Sequence, residues 1–99
     1  MNMQQMLMQA QKMQRELQKA QNELKEKSFT ISKGGAITVV VKGDRSILSI
    51  RIDEDAFEKE NKEMIEEMIA MAINEAIQQI DKESEEINEK ITGRSGGLF

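Results

Sequence analysis

The stretch SFTISKGGAITVVVKGDRSILSIRI, residues 28–52, decides the fold. Its apolar residues return at every second position: Phe29 and Ile31, then Ile37, Val39 and Val41, then Leu48, Ile50 and Ile52. A period of two places each set on one face of a β-strand. Two turn signals divide the sets, Lys33-Gly34-Gly35 and Gly43-Asp44-Arg45. Gly supplies the positive φ that tight turns need, and Asp hydrogen-bonds its own backbone. Strands joined by connections this short pair antiparallel, so the stretch predicts a three-stranded meander. One face is almost wholly apolar, whereas the other carries Thr30, Thr38, Ser49 and Arg51. The apolar face needs cover, and helices are the cover available.

Both flanks read as helix. Over residues 1–27, Met3, Met6, Ala10, Met13, Leu17, Ala20 and Leu24 recur at alternating steps of three and four. That is a heptad seam on a helix of good helix formers, and its Ala and Met content predicts close, adaptable packing. Met6, Ala10, Met13, Leu17, Ala20 and Leu24 are the expected contacts with another helix or with a dimer mate. Residues 53–92 form a second helical region. Asp55 with Glu58 resembles a capping box, and Asn61 is placed to cap a restart. The main helix is expected over about 62–91, with Met64, Ile65, Met68, Ile69, Ala72, Ile73, Ala76, Ile77 and Ile80 on its sheet-facing half. Only Ile87 and Ile91 remain apolar after that, so the second half is expected to enter water or meet another helix. Residues 93–99 read as a flexible tail. The whole is one α+β domain over residues 1–99, with long terminal helices flanking the sheet in the order α-β-β-β-α.

A chain of 99 residues without Cys, His, Trp, Tyr or Pro narrows the chemistry. Disulfide stapling is excluded, and the usual transition-metal ligand sets cannot be assembled. The N-terminus has no signal-peptide pattern and no segment is apolar enough to span a bilayer, so a soluble cytoplasmic protein is expected. No Ser has a His to activate it, so the expectation is a protein that is not an enzyme. Gly34-Gly35 lacks the Lys-Ser/Thr of a phosphate loop. The acidic run Asp53-Glu54-Asp55 with Glu58 lacks the Gly and distal Glu of a calcium loop, and capping explains it better. No metal, cofactor or small-molecule substrate is expected.

The net charge of -4 conceals an asymmetry. Residues 1–27 carry five Lys/Arg against three Asp/Glu, and residues 28–52 carry four against one. Residues 53–99 carry five against fourteen, giving segment charges of +2, +3 and -9. An anion feels the local field, so the first half can attract a polyanion although the whole chain is acidic. Lys12, Arg15 and Lys19 lie three and four apart, in one stripe away from the apolar seam. Gln11, Gln14, Gln18 and Asn22 surround them, and Lys25, Lys27 and Lys33 continue the positive character. Such a ridge suits a sugar–phosphate backbone. It also suits the solvated back of a coiled coil, which is the commoner use of this composition.

In order and spacing, these segments resemble the YbaB/EbfC family of bacterial nucleoid-associated proteins. The resemblance rests on the Gln/Met-rich first helix, GGAITVVVKGDRSILSIRID, MIEEMIAMAINEAI and a closing Thr92-Gly93. Gly34-Gly35, Gly43, Ile52-Asp53 and the Ala72-x-Asn74-x-Ala76 step carry most of it. Glu54 stands where family members usually have Pro, and the tail is short. The resemblance implies a homodimer with projecting helices that binds double-stranded DNA at the nucleoid, without catalysis. It supplies no DNA-reading motif, so Lys12, Arg15, Lys19, Lys25, Lys27 and Lys33 are candidates on charge and helix geometry. Two other readings stay open, a prefoldin-like chaperone and a dimeric helical adaptor for protein partners. Against the first, the second half of the last helix, with only Ile87 and Ile91 apolar, is expected to be too charged to mirror the first helix continuously.

Overall fold

A computed structural model describes residues 2–93. Helix α1 runs Met3–Glu26, strands β1, β2 and β3 run Ser28–Lys33, Ile37–Lys42 and Ile47–Ile52, and helix α2 runs Lys62–Gly93. Short 3-10 turns at Glu54–Ala56 and Lys59–Asn61 link β3 to α2. This is the α-β-β-β-α order expected, while residues 94–99 of the predicted tail lie outside the described residues. Asn2 caps α1, its side chain accepting from the Gln5 amide at 2.8 Å. The cap before the second helical region falls on Asp53, which accepts from the Asp55 amide at 2.9 Å, rather than on the expected Asp55–Glu58 box. A 3-10 turn closes there in three residues, too tight for a box that needs the first turn of an α-helix. Asn61 also does not cap α2, since its side-chain amide donates to the Ala56 carbonyl.

The strands form an antiparallel sheet in the order β1-β2-β3. Phe29 lies opposite Val41 and Ile31 opposite Val39, while Ile37 and Val39 lie opposite Ile52 and Ile50. A bulge between Val40 and Val41 shifts the register, so Ile47, not the expected Leu48, stands opposite Val41. The extra residue of a bulge is invisible to a count of alternation. The Lys33–Ala36 turn places Gly34 and Gly35 at φ +56° and +66°, a region that an L side chain rarely adopts.

The first half of α2 covers the apolar face of β1 and β2. Ile65, Ala72, Ala76 and Ile80 are buried there with Phe29, Ile31, Ile37, Val39 and Val41. Ala72 and Ala76 are fully buried, and their small side chains let the helix approach the sheet closely. β3 is left bare: Ile47, Leu48, Ile50 and Ile52 are all exposed, Ile50 at 45%. The width explains this. Strands lie about 4.8 Å apart and a helix is about 10 Å across, so one helix shelters two strands.

The second half of α2 meets α1, and the two run antiparallel. Lys27 pairs with Glu83, Gln21 bonds Ser84 and Asn88, and Ala10, Met13 and Leu17 face Ile91. The charged half thus meets a helix, one of the two outcomes expected of it, and its described residues follow α1 only in part, from Leu24 to Ala10, leaving Met6 and Met3 exposed. Ile87 and Ile91 supply the apolar contacts, and polar bonds fill the gap between them. The Gln21 amide donates to the Ser84 carbonyl at 3.2 Å and to Asn88 Oδ1 at 3.3 Å. Leu24 is buried, while Met13, Leu17 and Ala20 are half-buried along this contact. Met6 and Ala10 remain exposed. The molecule is a rod, with Cα extents of 69 × 20 × 14 Å.

Candidate nucleic-acid interface

The functional geometry begins with α1, whose 24 residues make a rod about 36 Å long. Its inner face is committed to α2, so its outer face is what a partner meets. Lys12, Arg15 and Lys19 are exposed on that outer face. At 100° per residue they fall within about 60° of one another, over about 10 Å of helix. Among the described residues, no ion pair engages these three. Their charge is therefore directed at solvent.

The other candidate cations are placed differently. Lys25 is exposed but lies about 140° around the helix from Lys12. Lys27 pairs with Glu83 and lies 5.4 Å from the Phe29 ring centre. Lys33 pairs with Glu75. Both ion pairs join the sheet end of the molecule to α2, so they serve cohesion as well as charge. The structure brings Lys12, Arg15 and Lys19 together and leaves Lys25, Lys27 and Lys33 outside that stripe.

The sequence reading missed how the stripe ends. Arg15, Gln18, Lys19, Asn22, Glu23 and Glu26 line one shallow depression, so two carboxylates stand at its sheet end. Lys42 of β2 pairs with Glu26 at 3.2 Å. Helical spacing already put Glu23 and Glu26 on the stripe, at four and seven residues from Lys19. The exposed charge of this face is thus basic along Lys12, Arg15 and Lys19 and turns acidic toward the sheet.

Elsewhere the surface offers little chemistry. Among the described residues there is no group of three or more His, Cys, Asp or Glu side chains able to hold a metal, and no helix is long and apolar enough to cross a membrane. Asp44 has a carboxyl held below the ordinary carboxylate range, first by a hydrogen bond from the Ser46 side chain and then by the Ser46 amide at 2.8 Å. That fixes the β2–β3 turn, where Arg45 adopts a positive φ of 74° and pairs with Asp81 of α2.

Apart from Met64 and Met71 on α2, the exposed large apolar residues gather in two places. One is β3 with Phe57, beside a groove lined by Ile52, Phe57, Ile65 and Ile69. The other is the start of α1, where Met3, Met6, Leu7 and Met8 are exposed.

A small three-stranded sheet with two projecting helices, one of them basic on its outer side, defines a helical-prong scaffold. A profile of the YbaB/EbfC DNA-binding family matches residues 1–95, and the chain belongs to that family. A nucleoid-associated protein of Agathobacter rectalis is 41% identical over 100 residues, covering 99% of this chain and 88% of the relative. One of Mycoplasmopsis pulmonis is 42% identical over 91 residues, covering 92% and 90%. Nucleoid-associated protein NT01CX_0824 of Clostridium novyi is 43% identical over 94 residues, covering 94% and 82%. The crystal structure of the uncharacterized protein HP0035 from Helicobacter pylori shares the fold. Its TM-score is 0.73 at 19% identity, covering 93% of this chain and 98% of that one.

Proposed function

We propose that this protein is a nucleoid-associated protein of the bacterial cytoplasm that binds double-stranded DNA as a homodimer, mainly through phosphate contacts, without catalysis. The observation that carries the reading is the stripe of Lys12, Arg15 and Lys19, exposed and outside any ion pair among the described residues, on a helix of a DNA-binding family member. Lys25 adds exposed charge on another side of α1, whereas Lys27 and Lys33 contribute less because Glu83 and Glu75 hold them. The bare strand supports the homodimer. Ile47, Leu48, Ile50, Ile52 and Phe57 form an apolar strip of a kind that monomers rarely leave exposed, and a two-fold copy covers it.

Three phosphates neutralised per protomer make six per dimer and a log–log salt slope of roughly -5. The test is fluorescence anisotropy of a labelled duplex at several salt concentrations, with Lys12, Arg15 and Lys19 all changed to Ala. The variant is expected to bind much more weakly and with a flatter slope, at unchanged dimer mass. Unchanged affinity in a folded triple variant overturns the assignment of these residues. The antiparallel pairing of α1 with α2 favours one competing reading, the prefoldin-like chaperone. Suppression of client aggregation by a protein that fails to bind DNA at low salt would select it instead.

A further inference from the structure

The other apolar cluster lies at the far end of the rod from the sheet. Met3, Met6, Leu7 and Met8 are exposed on the first two turns of α1, Met3 at 78%. Met3 and Met6 continue the seam of Ala10, Met13 and Leu17, which lies against Ile91. The interface between the two helices therefore runs out along α1 past its described partner residues, with its apolar pattern unbroken. Residues 1–11 also contain no Asp, Glu, Lys or Arg, in a chain that is 32% charged.

We propose that these two turns are a second self-association surface, which docks antiparallel on the same two turns of another copy. This uses the sheet-mediated dimer proposed above and adds a contact to it. Three features single out a second copy as the occupant. The surface is continuous with a helix–helix interface already formed, so a further helix in the same groove extends packing that exists. It carries no charged side chain, so it meets its own image without the like-charge repulsion that a Lys- or Glu-bearing patch would suffer, and it offers the side chains of a charged partner no ion pair. Its polar residues, Gln4, Gln5 and Gln9, both donate and accept, so each can bond to its own equivalent. Met side chains adapt to an irregular facing surface.

An overlap over residues 2–9 is about 12 Å long, which is small for a protein interface. The contact is therefore weak in dilute solution and strengthens where dimers are held close together on DNA. Symmetry gives it a consequence. One two-fold contact closes a dimer, but two different two-fold contacts at opposite ends of a rod generate an open row of subunits. Tip contacts between dimers on separate duplexes would hold those duplexes together.

The test compares three proteins by sedimentation over a concentration series and by pull-down of a labelled duplex on a bead-bound one. They are the natural chain, a tip variant with Met3→Gln, Met6→Gln and Leu7→Gln, and a sheet variant with Ile50→Glu. Gln matches Met and Leu in helix propensity, and circular dichroism checks that helix content is kept. The natural chain is expected to exceed dimer mass as concentration rises and to capture the second duplex. The tip variant is expected to stop at the dimer, to bind one short duplex with unchanged affinity, and to lose at least tenfold in capture. The sheet variant is expected to stop at a dimer held by its tips. A natural chain that never exceeds the dimer, on or off DNA, overturns the proposal, as does a tip variant that assembles like the natural chain. If the tip changes alone yield monomer while Ile50→Glu leaves the dimer, the tip contact stands and the sheet contact fails.

Discussion

Changing Gly43 to Ala should be among the most damaging single-methyl additions in this chain. A Cβ built at Gly43 would sit 1.8 Å from the Leu24 carbonyl oxygen, 2.7 Å from its carbon and 3.1 Å from Lys25 Cα. All three are backbone atoms in the last turn of α1, so no side chain can swing aside. Either the β2–β3 turn or the end of α1 must move. Movement breaks the hydrogen bond from the Gly43 amide to the Lys27 carbonyl, 2.7 Å long and itself at the junction of α1 and β1. It also lifts Leu24, buried between α1 and the core, from its place. Overpacking costs about 1–3 kcal/mol, the lost hydrogen bond about 1, and partial exposure of Leu24 about 1. The sum, about 3–5 kcal/mol, is a large share of the stability of a domain this size. The assay is urea unfolding of both proteins at one fixed concentration, because self-association would otherwise shift the midpoint. Gly35→Ala serves as the control: its φ of +66° costs about 1 kcal/mol, but nothing lies within 4 Å of the added Cβ. If Gly43→Ala falls within 1 kcal/mol of the natural chain, or costs no more than Gly35→Ala, the close approach of turn and helix does not control stability.

Two further changes probe the same turn. Arg45→Gly removes a left-handed backbone strain worth about 1 kcal/mol and an exposed ion pair to Asp81 worth about 0–1, so its stability should equal or slightly exceed that of the natural chain. A loss above 1 kcal/mol in urea unfolding would show that the ion pair matters more than the strain. Asp44 should titrate below the ordinary carboxylate value of about 3.9, because the Ser46 hydroxyl and amide favour its ionised form. Its contribution to stability is then complete above that value and is lost as pH falls through the lower folded one. Carboxyl chemical shifts followed by NMR against pH check this, and a midpoint at or above about 3.9 contradicts it.

Much of the architecture was legible because backbone periodicity is a local property. Alternation over residues 28–52 and three-four spacing on both flanks follow from strand and helix geometry, so they survive in the sequence whatever the chain later packs against. The candidate interface was legible only in part. Lys12, Arg15 and Lys19 share a stripe through helical spacing alone, but the partners of Lys27 and Lys33 lie 56 and 42 residues along the chain, where no local pattern reaches. How the charged half of α2 pairs with α1 was illegible for a related reason. Its apolar content is low, and the Gln21–Ser84–Asn88 bonds that complete it depend on register across the helix pair.

By itself, the sequence determined the kinds of element, their order, the apolar face of each and the basic stripe of α1. Those are set by steric and solvation preferences acting within a few residues. Only the tertiary structure decided which strand stays uncovered, which cations are neutralised and where α1 runs past the described residues of α2. These depend on the finite width and length of packed elements. A helix about 10 Å across shelters β1 and β2 and leaves Ile50 in the open, and described residues of α2 reach Met13 but leave Met3 and Met6 exposed.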